Sequence, residues 1–161
     1  MELYGLRCNL MELTDKLSIV VPTWNSLNYL KILYKSLQKN VTIPFEFLVH
    51  DNDSTDSTEE WLNENKIYHT ISEKNEGFCG VNHVLREVQT EYVMIFNSDM
   101  YVLPNSIESV LKQIQLFKLN KINRFTISSC LIEPVGNNPE YKIFNAGYDY
   151  NTFNEELLLK E

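Results

Sequence analysis

Asp99 follows the apolar run Tyr92-Val93-Met94-Ile95-Phe96 after two neutral polar residues, Asn97 and Ser98. A carboxylate at the end of a buried strand is a hard oxygen ligand suited to Mg²⁺ or Mn²⁺. Those ions keep several waters and take one or two carboxylates plus substrate phosphates. An Asp that caps a loop explains the same position equally well. The segment Asp51-Asn52-Asp53-Ser54-Thr55-Asp56-Ser57-Thr58 repeats the pattern, with a polar loop directly after an apolar run. It fails as an EF-hand, because no Gly stands at the sixth position. Asp51, at the strand end, could accept hydrogen bonds from a nucleobase N–H. A third segment, Asn75-Glu76-Gly77-Phe78-Cys79-Gly80, sets two glycines before a helical pattern. Close backbone approach to a ligand and an ordinary turn both remain open there. It is neither a Walker A loop nor a dinucleotide fingerprint.

The elements that must position these loops alternate along the chain. Leu17 to Val21 is a short β-branched run that reads as a buried strand stopping at Pro22. Asn25 and Ser26 can cap a helix whose Leu27, Leu30, Leu33, Tyr34 and Leu37 share one face. Residues 45–50 and 67–71 read as two more strands. Between them, Asp56 with Glu59 makes a capping-box signature for a short helix. Val81, Val84, Leu85 and Val88 form a second apolar stripe before the strand at 92–96. Pro104 and Asn105 open a longer helix, Arg124 to Ile132 reads as a strand, and 134–139 is turn-rich. Repeated strand–helix–strand units imply an α/β fold: a mostly parallel central sheet with helices on both faces. Ligands in such sheets bind beyond the carboxyl ends of the strands, where the loops at 22–26, 51–57 and 97–99 should converge.

Bulk properties narrow the functions. The 161 residues fit one domain, 1–161, able to bury a core without staples. A formal charge of −8 argues against nucleic-acid binding, which needs a basic footprint. The three cysteines Cys8, Cys79 and Cys130 form no C-x-x-C pair, and reduced thiols in a cytoplasmic protein are expected. The first 16 residues do not read as a signal peptide, and no run reaches the ~20 apolar residues of a membrane span. Trp61 and the aromatic stripe Tyr141, Phe144, Tyr148, Tyr150 and Phe153 read as packing. His50 and His69 read as structural, since neither shows companion ligands in its strand. Trp24 sits in a ligand-facing loop, where packing and contact are equally open.

Val21-Pro22-Thr23-Trp24-Asn25, the 51–58 segment, Asn75-Glu76-Gly77-Phe78 and Glu91 to Asp99 together resemble the inverting glycosyltransferases of family 2. That family has the GT-A (nucleotide-diphospho-sugar transferase) fold. The resemblance runs from Leu17 to about Leu103. It implies transfer of a sugar from a nucleotide-diphosphate sugar to an acceptor hydroxyl, assisted by Mn²⁺ or Mg²⁺. It places Pro22, Thr23 and Asn25 at the nucleotide pocket, with Trp24 in the same loop, Asp51 on the base (uracil or thymine), and Asn75 and Gly77 near the nucleotide. Asn97 and Asp99 stand at the D-x-D-type motif, with Asp99 the metal ligand. UDP- or dTDP-type donors and a glycan, lipid or protein acceptor follow from the same resemblance. Three departures stand out. Asn97 replaces the first motif acid, and His83 and Leu85 replace a further Asn and Gly. No catalytic base matches before Glu161, which leaves Asp149, Glu155 and Glu156 as candidates. A nucleotidyltransferase would need a Gly-rich basic loop at 22–25, which is absent. A nucleotide-sugar-binding module or donor-binding fragment without complete catalytic machinery, one lacking the acceptor-side region, is the alternative expectation.

Overall fold

The computed structural model describes residues 17–122 and the backbone of strands 131–135 and 138–144. The elements are β1 (Leu17–Thr23), α1 (Leu27–Asn40), β2 (Glu46–Asp51), α2 (Thr58–Glu64), β3 (Tyr68–Ile71), α3 (Val81–Leu85), β4 (Tyr92–Ile95), α4 (Ser106–Leu119), β5 (Leu131–Val135) and β6 (Asn138–Phe144). A short 3₁₀ turn, Gly77–Gly80, leads into α3. The chain divides into two compact units, Met1–Ser109 and Val110–Glu161.

In the first unit four strands form one parallel sheet in the order β3-β2-β1-β4. β1 lies inside the sheet, and its apolar residues Leu17, Ile19, Val20 and Val21 are fully buried. β-branched side chains suit such a two-sided environment. On one face Val20 and Leu48 pack against Val81 and Val84 of α3, with Leu85 and Val88 at the margin. The apolar stripe expected at 81–88 therefore exists, although its helix is only five residues long.

β1 runs two residues past the expected stop. Phe96 N–H donates to Val20 O and Asn52 N–H to Thr23 O, so Val20 faces β4 and Thr23 faces β2. Backbone groups alternate sides along a strand, so Pro22 faces the β4 side. The β4 ladder has already ended there, and the missing N–H breaks no bond.

β4 was expected to be buried, and it is not. Among the described strands it forms the edge of this sheet, with Val93 and Ile95 40% and 41% exposed. An apolar run shows where a strand is but not how many neighbours it has.

The second unit contains an antiparallel pair, β5 with β6, its register shifting at Pro134/Val135. Strand therefore occupies most of the expected 134–139 loop. Residues 124–130 lie outside the described set, as do Cys8, Cys130, Tyr148, Asp149, Tyr150, Phe153, Glu155 and Glu156.

Candidate functional site

Chain order turns back between β1 and β4: β2 and β3 build outward on one side of β1, and β4 joins the other. The crevice beyond the carboxyl ends at such a reversal is where parallel α/β sheets take ligands. A cavity of about 640 Å³ lies there, lined by Pro22, Thr23, Trp24, Ser26, Tyr29, Asn52, Asn75, Gly77, Phe78, Asn97, Ser98 and Asp99. Seven of the nine expected pocket residues share it.

The other two, Asn25 and Asp51, are not among the lining residues and instead brace the neighbouring loops. Asn25 takes the left-handed conformation, φ 47°. Its Oδ1 accepts from the Thr55 N–H at 2.7 Å, and its own N–H donates to Ser54 Oγ at 2.9 Å. The loops after β1 and β2 are thereby fastened together. Asp51 is buried, and its Oδ1 accepts the Ser54 N–H at 3.1 Å.

The expected helix caps are rearranged. Ser26 stands at the N-cap of α1 but makes no side-chain cap bond. Its Oγ lies 2.7 Å from Thr23 Oγ1 and 2.8 Å from Ser98 Oγ, a hydroxyl chain joining the β1 loop to the Asp99 loop. Asp56 Oδ2 accepts the Leu27 N–H of α1 at 2.9 Å, while Oδ1 accepts from Thr58 Oγ1. The capping box with Glu59 does not form, since Ser57 is the N-cap of α2 and makes no side-chain cap bond. Burial raises the Asp56 pKa, but the hydrogen bonds from Thr58 and Leu27 outweigh it and leave the carboxyl below its ordinary value.

The 75–80 loop is held from beneath by Asn52, which sequence reasoning had not singled out. Its Nδ2 donates to Gly77 O and its Oδ1 accepts the Glu76 N–H, both at 3.2 Å. Asn75 Oδ1 accepts the Gly77 N–H at 2.7 Å, closing a tight turn on Gly77 at φ 61°. The two glycines serve different ends. Gly77 borders open space, whereas a Cβ on Gly80 would lie 2.4 Å from His50 Cδ2 and 2.5 Å from Asn52 Oδ1. Gly80 thus allows close approach to the protein's own strand rather than to a ligand.

Asp99 is the only charged residue of the lining among the described residues. Asn97 and Asp99 are exposed and Ser98 is half-buried. Together they offer a carboxylate, an amide oxygen and a hydroxyl, a hard-oxygen set that suits Mg²⁺ or Mn²⁺ with waters and phosphate oxygens completing the shell. Trp24, Tyr29 and Phe78 are each more than half exposed and give the cavity aromatic surface. Tyr29 and Phe78 were missed, although an exposed aromatic on the polar side of an amphipathic helix was a signal for Tyr29.

Other readings divide. Trp61 packs edge-on against Tyr34, with Lys31 over its ring, as expected of a packing residue. His69 Nδ1 lies 2.9 Å from Ile67 O. Cys79 is a free, exposed thiol. His50, however, is not without companions, because Glu76 and His83 stand beside it.

The sequence profile of glycosyl transferase family 2 matches residues 18–129, and the chain belongs to that family. Its α/β architecture, with a parallel four-stranded sheet, is that of the GT-A glycosyltransferases. A curated relative is the poly(ribitol-phosphate) beta-N-acetylglucosaminyltransferase TarS of Staphylococcus aureus, 27% identical over 150 residues. That match takes 84% of this chain and 26% of TarS, so the chain spans about a quarter of the relative's length. The crystal structure of a TarS fragment in complex with UDP-GlcNAc matches with a TM-score of 0.55 and 31% identity, covering 64% of this chain and 32% of that one. A mannosyltransferase of Pyrobaculum calidifontis, in complex with GDP-Man and Mn²⁺, shares the fold at 20% identity and a TM-score of 0.53, covering 60% of this chain and 31% of that one. Among the described residues no helix is long and apolar enough to cross a membrane.

Proposed function

We propose that this chain is the donor side of a metal-assisted, inverting glycosyltransferase, and that its cavity takes a nucleoside diphosphate sugar of UDP or dTDP type. One observation carries the reading. Among the described residues, the cavity at the β1/β4 reversal is lined by a single carboxylate and no basic side chain. A diphosphate entering such a site needs a cation, and Asp99 would hold it. When bound, Mn²⁺ or Mg²⁺ supplies charge stabilisation for the departing diphosphate. Asn97 would offer its amide to the metal or the ribose. Asn75 and Gly77 would meet the nucleotide, and Pro22, Thr23 and Trp24 would flank the base. Asn25 and Asp51 would act on the pocket's shape, with Asp51 also the residue the family resemblance assigns to the base. The UDP-GlcNAc complex of TarS supports the donor class.

In the transfer itself, a base takes the proton of the acceptor hydroxyl, that oxygen bonds to the anomeric carbon, and the bond to the diphosphate breaks with inversion. Asp149, Glu155 and Glu156 stay the candidates for that base. A second reading, a donor-binding module, is favoured by the same lining. Among the described residues its one carboxylate would be committed to the cation, which leaves no other of them there for the base. Incubation with a panel of sugar nucleotides and Mn²⁺, read as nucleoside diphosphate release, separates the two. Release above the buffer rate supports the enzyme. Tight binding without any release supports the module. No binding of UDP, dTDP or GDP in the presence of Mn²⁺ overturns both.

A further inference from the structure

Behind the 75–80 loop, on the α3 face of the sheet, His50 of β2, Glu76 of the loop and His83 of α3 bring one ligand atom each within 4.8 Å of one another. We propose that these three side chains form a transition-metal site, of Zn²⁺ class, distinct from the cation site at Asp99 and independent of the donor reading.

Three features of His50 point to a ligand. It is wholly buried. Its Nδ1 lies 2.8 Å from Thr70 Oγ1, which can accept the Nδ1–H and so leave the lone pair on Nε2. That Nε2 is buried and has no hydrogen-bond partner, an expensive state for a polar atom. A neutral imidazole oriented through its second nitrogen is the usual arrangement of a metal-bound histidine. Burial, and next the charge His83 can carry, keep the His50 pKa below the ordinary value, against the opposing pull of Glu76 and Asp51. The Asn52 side chain bonds the 76–77 backbone and also stands next to His50, where it adds to the upward pull on that pKa.

The other two ligands are placed to close on it. His83 Nε2 lies 2.7 Å from Glu76 Oε2, and that bond holds the Glu76 carboxyl below its ordinary pKa. The His50 and His83 rings stack, with centroids 5.0 Å apart and planes at 17°. Ligand atoms in a tetrahedral zinc site stand about 3.3 Å apart, as Zn–N bonds of about 2.0–2.1 Å require. Imidazole lone pairs lie in the ring plane, so His83 must also swing out of this stack. That rotation, with a contraction of roughly 1.5 Å at most taken up by the exposed His83 and the loop-borne Glu76, would give a His₂Glu set with one position open to water. Gly80 is what lets α3 come this near His50. An ion here would tie β2, the loop and α3 together directly beneath Asn75, Gly77 and Phe78 of the cavity.

The test uses the full chain, stripped with chelator and titrated with Co²⁺ under visible absorption, then with Zn²⁺ in competition. The expected result is one equivalent bound with tetrahedral d–d bands. His83→Asn and Glu76→Gln should each weaken it at least about 10-fold. Cys79→Ser and Asp99→Asn should leave it unchanged. His83 is exposed, so its variant tests the site without disturbing the core. Absence of stoichiometric binding, wild-type affinity in His83→Asn, or loss of binding in Cys79→Ser would each overturn the proposal.

Discussion

The first unit holds two cavities of similar size at opposite ends of the sheet. The one at the carboxyl end encloses about 640 Å³. The other, about 600 Å³, is lined by Tyr34 and Gln38 of α1, by the start of β2 and β3, and by Glu87 and Gln89. Volume does not distinguish them, but the backbone does. Asn25, Asp53, Ser57 and Gly77, all on the carboxyl-end loops, adopt positive φ; each lining itself holds one such residue, Gly77 there and Lys66 at the amino end. The carboxyl-end loops are also cross-tied by Asn25, Ser26, Asn52 and Asp56. The amino-end wall rests largely on regular elements and on ring packing of Tyr34 with Phe47. Strained backbone persists only where surroundings over-determine it, and such places tend to be functional. Shape held against local preference marks the site better than empty space does.

Four substitutions would break or sharpen this contrast. Gly80→Ala should have the largest effect, because its Cβ would strike His50 and Asn52 inside the packed face. Overpacking of this kind costs about 1–3 kcal/mol, and chemical denaturation should show a lowered midpoint. Gly77→Ala meets open space and pays only for φ 61°. Its expected cost is about 1–2 kcal/mol, with the change in nucleotide affinity exceeding the change in stability. A Gly77 variant with wild-type affinity would show that the turn does not shape the cavity.

Asp56 predicts a smaller, pH-dependent effect. Its folded pKa is depressed, so its contribution is present above the unfolded carboxylate value of about 3.9 and is lost as pH falls through the lower folded value. Asp56→Asn should flatten the stability curve on that acid limb, and an unchanged limb in thermal melts across pH would contradict the assignment. The smallest effect belongs to the amino-end cavity. Gln38→Ala removes an exposed side chain and should shift stability by no more than about 0.5 kcal/mol, with nucleotide affinity unaltered in titration.

What was legible in the sequence follows from how local each signal is. β1 and its polar break at Thr23-Trp24-Asn25 were visible because burial on both faces demands a continuous apolar run. The convergence of three loops followed from parallel topology, which alternating elements already imply. The partners of Ser26 and Asp56 were not legible. Each prefers a tertiary bond, to Ser98 and Leu27, over the local cap its type suggests. The edge position of β4 depends on what pairs beyond it. The meeting of His50 with His83 needed the register of α3 against β2, fixed by the close approach at Gly80, and no local pattern encodes that.

Asp99 carries the central proposal: as the one carboxylate of the cavity among the described residues, it would hold the cation that binds the donor's diphosphate. Calorimetric titration of UDP into wild type and Asp99→Ala, each with Mn²⁺, tests it most directly. The account predicts Mn²⁺-dependent binding to the wild type and a loss of at least about 100-fold in the variant, as expected for a first ligand when even supporting residues cost 10–100-fold. An Asp99→Ala protein that binds UDP as tightly as wild type, with the same dependence on Mn²⁺, would contradict it.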